Sequence, residues 1–205
     1  MSKTALVTGA SEGIGAEFAK ILANLGYDLI LVARSEDKLN QLADRLRSEF
    51  EVNSAVIVAD LSKANAAQDL FQNVEEIGAK VDFLINNAGL LQNGFFTKLS
   101  LKKQEAMISV NVMALTSLTH LFANKMALQG SGHILNVASL AGWMGIPNQN
   151  VYAASKAYVV SFSQALSNEM VAANSGVQVT ALCPCLLYTS DAADEGLGVD
   201  LGGRR

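Results

Sequence analysis

The chain has 205 residues, half of them hydrophobic and 17% charged, and its formal net charge is −4 at pH 7. This length predicts one domain with a substantial core, and the acidic balance, with a pI ≈ 5.2, argues against a nucleic-acid partner. We expect no membrane span and no secretory signal, because no apolar run reaches bilayer length. Cys183 and Cys185 lie too close together for a disulfide framework, so we expect a cytoplasmic protein. His120 and His133 lack partners at metal-ligand spacing, so we expect no metal site.

A glycine-rich loop joins the first predicted strand to the first predicted helix. Residues 5–7 form an apolar strand, and a predicted helix follows that ends at Gly26. Its predicted inward stripe consists of Ile14, Phe18, Ile21, Leu22 and Leu25. Glycines between such elements let the backbone approach a phosphate, and the helix N-terminus offers free N–H groups there. A tight turn is the alternative, but the position favours a cofactor site. The loop residues expected to contact a dinucleotide are Gly9, Ser11, Glu12, Gly13, Ile14 and Gly15.

The end of the second predicted strand, residues 29–33, indicates which dinucleotide binds. An NAD site uses a carboxylate about 20 residues after the glycines to hold the ribose 2′-hydroxyl. This chain has Ala33 and Arg34 there instead. An arginine can bind a 2′-phosphate through paired charge-assisted hydrogen bonds, although a solvated arginine at a strand end is the alternative. We therefore expect NADP(H) as the preferred cofactor, with NAD(H) as the alternative.

Two further strand ends supply polar residues. The third strand, residues 55–59, is followed by Asp60, whose carboxylate either accepts a hydrogen bond from the adenine amino group or caps the next helix. The fourth strand, residues 83–85, opens into Asn-Asn-Ala-Gly, which suits bracing beside a flat ligand but is also common in turns. The candidate cofactor contacts in these stretches are Asp60, Leu61, Asn87, Ala88 and Gly89.

The second half of the chain supplies candidate catalytic residues. Asn111 lies among apolar residues in a long helix, residues 101–128, and is either structural or holds a water. Ser139 follows a strand at residues 133–138, where open α/β sheets place their ligands. Tyr152 and Lys156 lie one turn apart on the same face of a predicted helix. An ammonium favours the phenolate, whereas burial disfavours it. In an open cleft the ammonium wins, giving a tyrosine that exchanges protons near neutral pH.

A final apolar strand at residues 177–182 completes a regular alternation of strands and helices. This alternation predicts a single doubly wound parallel sheet, a Rossmann-like α/β fold. The ordered motifs, TGASEGIG at residues 8–15, NNAG at residues 86–89 and YAASK at residues 152–156, resemble those of short-chain dehydrogenases/reductases. The resemblance covers residues 1–184, which we take as one domain that combines dinucleotide binding and catalysis.

The resemblance implies roles for the matching residues. Tyr152 would be the general acid in reduction, and Lys156 would lower its pKa and hold the nicotinamide ribose. Ser139 would orient the substrate carbonyl, Asn111 would maintain a water relay towards Lys156, and Pro184 would join the cofactor contacts. The residues around Arg34 resemble NADP-using members, although many of those carry a basic residue where this chain has Glu12. The family also implies a homodimer or homotetramer formed through the helices that carry Asn111 and Tyr152.

The sequence departs from the family after Pro184. The family continues with Pro-Gly, a substrate-covering segment and a seventh strand, whereas this chain continues with CLLYTSDAADEGLGVDLGGRR. We interpret residues 185–205 as a non-native disordered tail, because they resemble one reading frame of a sequencing-library adaptor. A natural disordered tail is the alternative. We therefore expect six strands with the seventh missing, and an impaired enzyme.

The function expected from these residues is hydride transfer between NADP(H) and a carbonyl or secondary alcohol. Trp143 and Met144, in the loop after Ser139, either wall an apolar substrate pocket or cover the core. The alternative function is that of a dinucleotide-binding or interaction protein without catalysis, but none of the expected catalytic positions is replaced.

Overall fold

The computed structural model describes residues 2–185. Strands and helices alternate along this part of the chain, joined by short loops and by 3-10 turns at Phe96–Lys98 and Leu140–Trp143. A π-helical segment, Ser109–Ala114, joins the fourth and fifth helices. The regular elements are β1 (Thr4–Thr8), α1 (Gly13–Asn24), β2 (Asp28–Ala33), α2 (Glu36–Phe50), β3 (Ser54–Val58), α3 (Ala66–Glu76), β4 (Val81–Asn86), α4 (Leu101–Ile108), α5 (Leu115–Gln129), β5 (Gly132–Val137), α6 (Asn150–Ala172) and β6 (Val177–Leu182).

The strands form a six-stranded sheet in the order β3-β2-β1-β4-β5-β6. All five neighbouring pairs are parallel, so the predicted doubly wound Rossmann-like fold is confirmed. The strand order reverses between β1 and β4, and the loops after these two strands therefore diverge to opposite sides of the sheet. A crevice at such a switch point is where open α/β sheets bind their ligands. The expectations about residues 186–205 lie outside the described residues.

Helices cover both faces of the sheet. On β1, Ala5 and Val7 pack towards α1 and α2, whereas Leu6 packs on the opposite face, towards α3 and α5. Successive strand side chains point to opposite faces, and both faces here are buried. This explains why the central strands are continuous apolar runs instead of alternating ones.

The inward face of α1 differs from the predicted apolar stripe. Ile21 and Leu25 are 57% and 66% exposed, and the face against the sheet is formed by Gly15, Ala19, Leu22 and Ala23. Small residues allow the helix axis to approach β1 closely, which brings the helix N-terminus to the strand ends. The spacing therefore identified the helix correctly but not its buried side.

The helical segments between Leu101 and Gln129 form one continuous run. This run is long and apolar enough to cross a membrane, contrary to the expectation that the chain has no such stretch. Half of its apolar 18-residue stretch is buried inside the protein. Leu118, Phe122 and Met126 pack there between the sheet and α3. The run is therefore the core helix of one covering layer.

Candidate active site

The glycines of the first loop are required by close contacts as well as by backbone conformation. Gly9 has φ +67, and a Cβ at Gly15 would lie only 2.1 Å from the carbonyl oxygen of Gly9. Gly13 also has a positive φ, +57, but a Cβ there would meet nothing within 4 Å. Gly9 and Gly15 are therefore fixed by packing, whereas Gly13 faces open space at the start of α1. The first turn of α1 has no side-chain cap and no acidic residue, so its N–H groups remain free for an anion.

Asn87 and Thr8 fasten the glycine loop to the loop after β4. The Asn87 side-chain amide donates to the carbonyl oxygens of Thr8 and Gly9, at 3.0 and 3.2 Å. The buried Thr8 hydroxyl accepts hydrogen bonds from the backbone N–H groups of Asn87 and Ala88, both at 3.0 Å. The NNAG segment is thus a brace for the glycine-rich loop, not a simple turn.

A cleft of about 370 Å³ opens between these two loops. It brings together nine of the predicted cofactor contacts: Gly9, Ser11, Glu12, Arg34, Asp60, Leu61, Asn87, Ala88 and Gly89. The remaining residues of the glycine loop, Gly13, Ile14 and Gly15, lie in the first turn of α1 and are not part of its wall. Pro184 is also absent from the wall, and its carbonyl oxygen accepts a hydrogen bond from the Leu140 N–H at 3.1 Å.

Charged side chains gather at the end of the cleft formed by β2 and β3. The Glu12 carboxylate accepts a hydrogen bond from Lys38 Nζ at 2.5 Å, and both residues line the cleft with Arg34. The hydrogen bond and charge of Lys38, helped by the charge of Arg34, hold the pKa of Glu12 below its ordinary value. Glu12 stands where many NADP-using members of the family that the sequence resembles carry a basic residue. Lys38, which the sequence analysis did not single out, supplies a positive charge beside it.

Asp60 caps its own turn. Its Oδ1 accepts hydrogen bonds from the Ser62 hydroxyl and the Ser62 N–H, at 2.7 and 3.1 Å. These bonds, the hydroxyl one above all, lower the pKa of Asp60. The predicted alternative of a cap on the next helix is wrong, because Asn65 is the N-cap residue of α3. Asp60 lines the cleft. Its hydrogen bonds to Ser62 are made by Oδ1.

Asn111 is a buried structural link at the inner end of the cleft. Its Oδ1 accepts from the Leu90 N–H at 2.8 Å, and its Nδ2 donates to the Leu90 carbonyl and the Ser155 hydroxyl, at 2.9 and 3.0 Å. The amide thus ties α6 to the loop after β4, here called the NNAG loop, at Leu90, the residue that directly follows Gly89. Both Nδ2 hydrogens are used in these bonds, so the side chain has no N–H left for a water.

Lys156 is buried beside Tyr152. Its Nζ donates to the carbonyl oxygen of Val137, at the end of β5, at 2.7 Å, and lies 5.7 Å from the centre of the Tyr152 ring. Burial lowers the pKa of Lys156 to about 8, and the charge of Cys183 opposes this shift. The ammonium is therefore still mainly protonated at neutral pH. An added Cβ at Gly89 would lie 3.5 Å from Asn111 Oδ1 and 3.7 Å from Lys156 Nζ. Both side chains therefore lie beside a residue of the cleft wall, although neither is part of that wall.

Ser139 begins the 3-10 turn Leu140–Trp143. Its Oγ accepts from the Ala141 N–H at 3.2 Å, which leaves the hydroxyl hydrogen available to donate. A Cβ on Gly142 would lie 2.8 Å from the Lys156 backbone carbonyl carbon, so this turn packs directly on α6. Ser139 and the Tyr152–Lys156 pair therefore belong to one packed unit.

Several polar residues escaped the sequence reasoning. Ser155 donates to the Tyr152 carbonyl at 2.7 Å and joins Asn111 to α6. Beneath it, the opposing Asn86 and Asn136 of β4 and β5 are joined at 2.9 Å. Asn136 also donates to Ser163 on α6 at 3.0 Å. The Ser155 position within the YAASK motif was a signal for the first link, but no local pattern indicates the others.

Apolar side chains lie beyond Tyr152 and Lys156. Trp143 and Met144 are 60% and 66% exposed, so of the two alternatives the one in which they cover the core is wrong. They line a hollow with Ile146, Pro147 and the Ala153 turn of α6. A hydrogen bond of 2.9 Å from the Gly94 N–H to the Asn148 carbonyl joins this loop to the loop after β4. Exposed Leu91, Phe95 and Phe96 lie in that second loop.

The fold and these motifs place the chain in a known family. The sequence model of the short-chain dehydrogenases matches residues 3–196, and the chain belongs to this family. Its members are oxidoreductases that act on small molecules with a nicotinamide dinucleotide. Among the residues that the structure describes, no group of three or more His, Cys, Asp or Glu is placed to hold a metal.

Relatives agree with this assignment. An acetoacetyl-CoA reductase of Acinetobacter sp. is 38% identical over 183 residues, covering 87% of this chain and 73% of the relative. A bulky-bulky ketone specific alcohol dehydrogenase from Comamonas testosteroni has a TM-score of 0.85 at 35% identity, covering 92% of this chain and 74% of that one. A short-chain dehydrogenase from Sphingobium yanoikuyae in complex with NADPH has a TM-score of 0.85 at 37% identity, covering 91% and 72%.

Proposed function

We propose that the protein is an NADP(H)-dependent carbonyl reductase or alcohol dehydrogenase that uses Tyr152 as its proton donor. The observation that carries this proposal is the meeting of the dinucleotide cleft with the buried Lys156. Gly89 lines the cleft and lies beside both Lys156 and Asn111. A ligand that fills the cleft from the charged end therefore ends next to the Tyr152–Lys156 pair.

Each catalytic residue has a task that follows from its contacts. When bound, a reduced nicotinamide supplies a hydride for the carbonyl carbon of the substrate. The Tyr152 hydroxyl gives its proton to the carbonyl oxygen, so that an alcohol results and the phenolate remains. The Lys156 ammonium, held by the Val137 carbonyl, stabilises that phenolate. Ser139 donates its free hydroxyl hydrogen to the substrate oxygen, and Asn111 keeps the NNAG loop and α6 in register.

The cofactor preference is proposed from the charged end of the cleft. Arg34 follows β2 at the point where an NAD site would have a carboxylate. Its guanidinium suits a 2′-phosphate, whose charge an acidic residue would repel. The Sphingobium yanoikuyae neighbour, which was solved in complex with NADPH, supports the same preference.

The substrate is proposed to be a carbonyl compound with a large apolar group. The hollow beside the catalytic residues is lined by Trp143, Met144 and Ile146, and Leu91 stands exposed in the joined loop. These side chains offer apolar contact area but no charged group that would fix an acidic substrate. A bulky-ketone dehydrogenase among the structural neighbours is in keeping with this class.

Replacing Tyr152 by Phe tests the proposal. We expect ketone-dependent NADPH oxidation to fall by about 10²–10⁴-fold, because the proton donor is lost. The dissociation constant for NADPH should remain within about twofold, and Tyr27→Phe, which alters a tyrosine outside the site, should keep full activity. Near-normal turnover of Tyr152→Phe would refute the assignment. Stereospecific hydride transfer to any of a panel of ketones would rule out the non-catalytic alternative.

A further inference from the structure

A carboxylate stands where a phosphate-binding cleft should avoid one. Glu12 is the N-cap residue of α1 and lines the cleft together with Arg34. Its side chain is 73% exposed and points to Lys38, in the first turn of α2, at 2.5 Å. The ion pair therefore bridges the first residues of two helices across the mouth of the cleft.

The charged side chains that line the cleft have no net charge. Its wall contains two cations, Arg34 and Lys38, and two carboxylates, Glu12 and Asp60. A phosphate monoester adds about −1.5 to −2 charges at neutral pH. Without Lys38 the lining would carry a net charge of −1, and Arg34 alone would face Glu12, Asp60 and the incoming anion.

Lys38 has hydrogens to spare for a ligand. An ammonium group has three N–H donors, and one of them is used by Glu12. Its side chain is 55% exposed, and the ion pair is open to water. Exposed ion pairs of this kind contribute little to stability, so a role in the fold does not account for this one.

We propose that Lys38 is a specificity-determining residue for a 2′-phosphorylated adenosine, because it neutralises Glu12 and donates to the 2′-phosphate beside Arg34. This inference rests on the proposed NADP(H) preference. Arg34 supplies the planar fork, and Lys38 supplies a point charge that also screens the phosphate from Glu12. The acidic residue in the glycine loop is thereby compatible with a phosphorylated cofactor.

The test compares two probes that differ only in the 2′-phosphate. Adenosine 2′,5′-bisphosphate and adenosine 5′-monophosphate are titrated by calorimetry into the whole chain. In the unmutated protein the bisphosphate should bind more tightly. Lys38→Met should reduce that preference by at least about tenfold, the loss of one charge-assisted hydrogen bond. Glu12→Gln should increase it, and Lys38→Met combined with Glu12→Gln should recover part of the loss.

A matched control is the exposed Lys20–Glu17 pair on α1, at 2.7 Å, which does not line the cleft. Lys20→Met should leave both dissociation constants unchanged. If Lys38→Met keeps the unmutated preference while Arg34→Met loses it, the role of Lys38 is refuted and the NADP(H) proposal stands. If the unmutated protein binds both probes equally, the NADP(H) preference fails, and the Lys38 role fails with it.

Discussion

Burial of the Lys156 side chain disfavours its charged, protonated form. The side chain is buried, its Nζ donates to the Val137 carbonyl, and burial lowers its pKa from the ordinary 10.5 to about 8. Below about pH 8 both the folded and the unfolded chain are protonated here, and the folded state bears the full penalty. Between about pH 8 and 10.5 the unfolded chain binds more protons, so this contribution to stability rises with pH.

Lys156→Met should remove this pH dependence. Relative to the variant, the unmutated protein should gain up to about 3 kcal/mol in free energy of unfolding between about pH 7.5 and 10.5. Urea denaturation of both proteins across this range measures the difference. If the free energies of unfolding of the two proteins change in parallel with pH, the pKa of Lys156 is not lowered by burial. Since other groups titrate equally in both proteins, only the difference between the curves carries the prediction.

The site residues that could be predicted from the sequence lie at strand ends, whereas those that were missed depend on contacts between distant parts of the chain. Arg34, Asp60 and the glycines are marked by their place at strand ends, where the chain itself encodes the position. Lys38 is marked by no such place, because its role arises from a contact with Glu12 across 26 residues. Ser155 likewise acquires its role from Asn111 on another helical segment, so the YAASK motif marks the position of Ser155 but not its partner. Contacts between helices leave no periodic trace in a single sequence.

At the scale of elements, the π-helical segment Ser109–Ala114 is the main departure from expectation. Residues 101–128 read as one helix, because i→i+5 hydrogen bonding has no pattern distinct from an apolar α-helix. The segment interrupts the run at Asn111, which then contacts both the NNAG loop and α6. Rare segments of this kind often occur at functional sites.

Asn111→Ala should loosen that junction. The backbone N–H and C=O of Leu90 and the Ser155 hydroxyl would each lose their Asn111 partner. We expect a loss of roughly 2–4 kcal/mol in the free energy of unfolding, because unpaired buried groups are costly. Hydrogen exchange at the Leu90 amide should become faster.

Asn124→Ala is the matched control, since Asn124 lies on exposed α5 surface and bonds only to His120 among the described residues. Its effect should stay within about 0.5 kcal/mol. Equal losses in the two variants would show that Asn111 does not join the NNAG loop to α6.

At the scale of the molecule, the alternation of strands and helices predicted the sheet but not its order. The order β3-β2-β1-β4-β5-β6 depends on pairings such as β1 with β4, in which the paired residues Thr4 and Val81 are 77 residues apart in the sequence. The two-sided burial of these strands was readable from their apolar runs. The order of the strands could not be predicted, because the residue pattern of one strand does not indicate which strand pairs with it.

The outer surface of α4, the π-helical segment and α6 leads to the last prediction, a homo-oligomer. Leu101, Ile108 and Met113 are exposed there, and Tyr158 of α6 bonds to Thr116 at 2.9 Å. Neighbouring apolar side chains on one face of a monomer indicate an interface. We therefore expect an assembly of two or more 21.7 kDa chains that buries this face.

Charged substitutions should break this assembly. Ile108→Glu combined with Met113→Glu would place carboxylates in an apolar interface, where charges without partners are strongly penalised. Sedimentation velocity should then show a monomer, whereas the unmutated chain should sediment as a dimer or tetramer. Leu25→Glu is the control, because Leu25 is at least as exposed as Ile108 and Met113, at 66%, but is the C-cap residue of α1, in the layer on the opposite face of the sheet. Its sedimentation should match that of the unmutated chain. A change caused by Leu25→Glu alone, with the double variant still assembled, would place the interface on the α1 side instead.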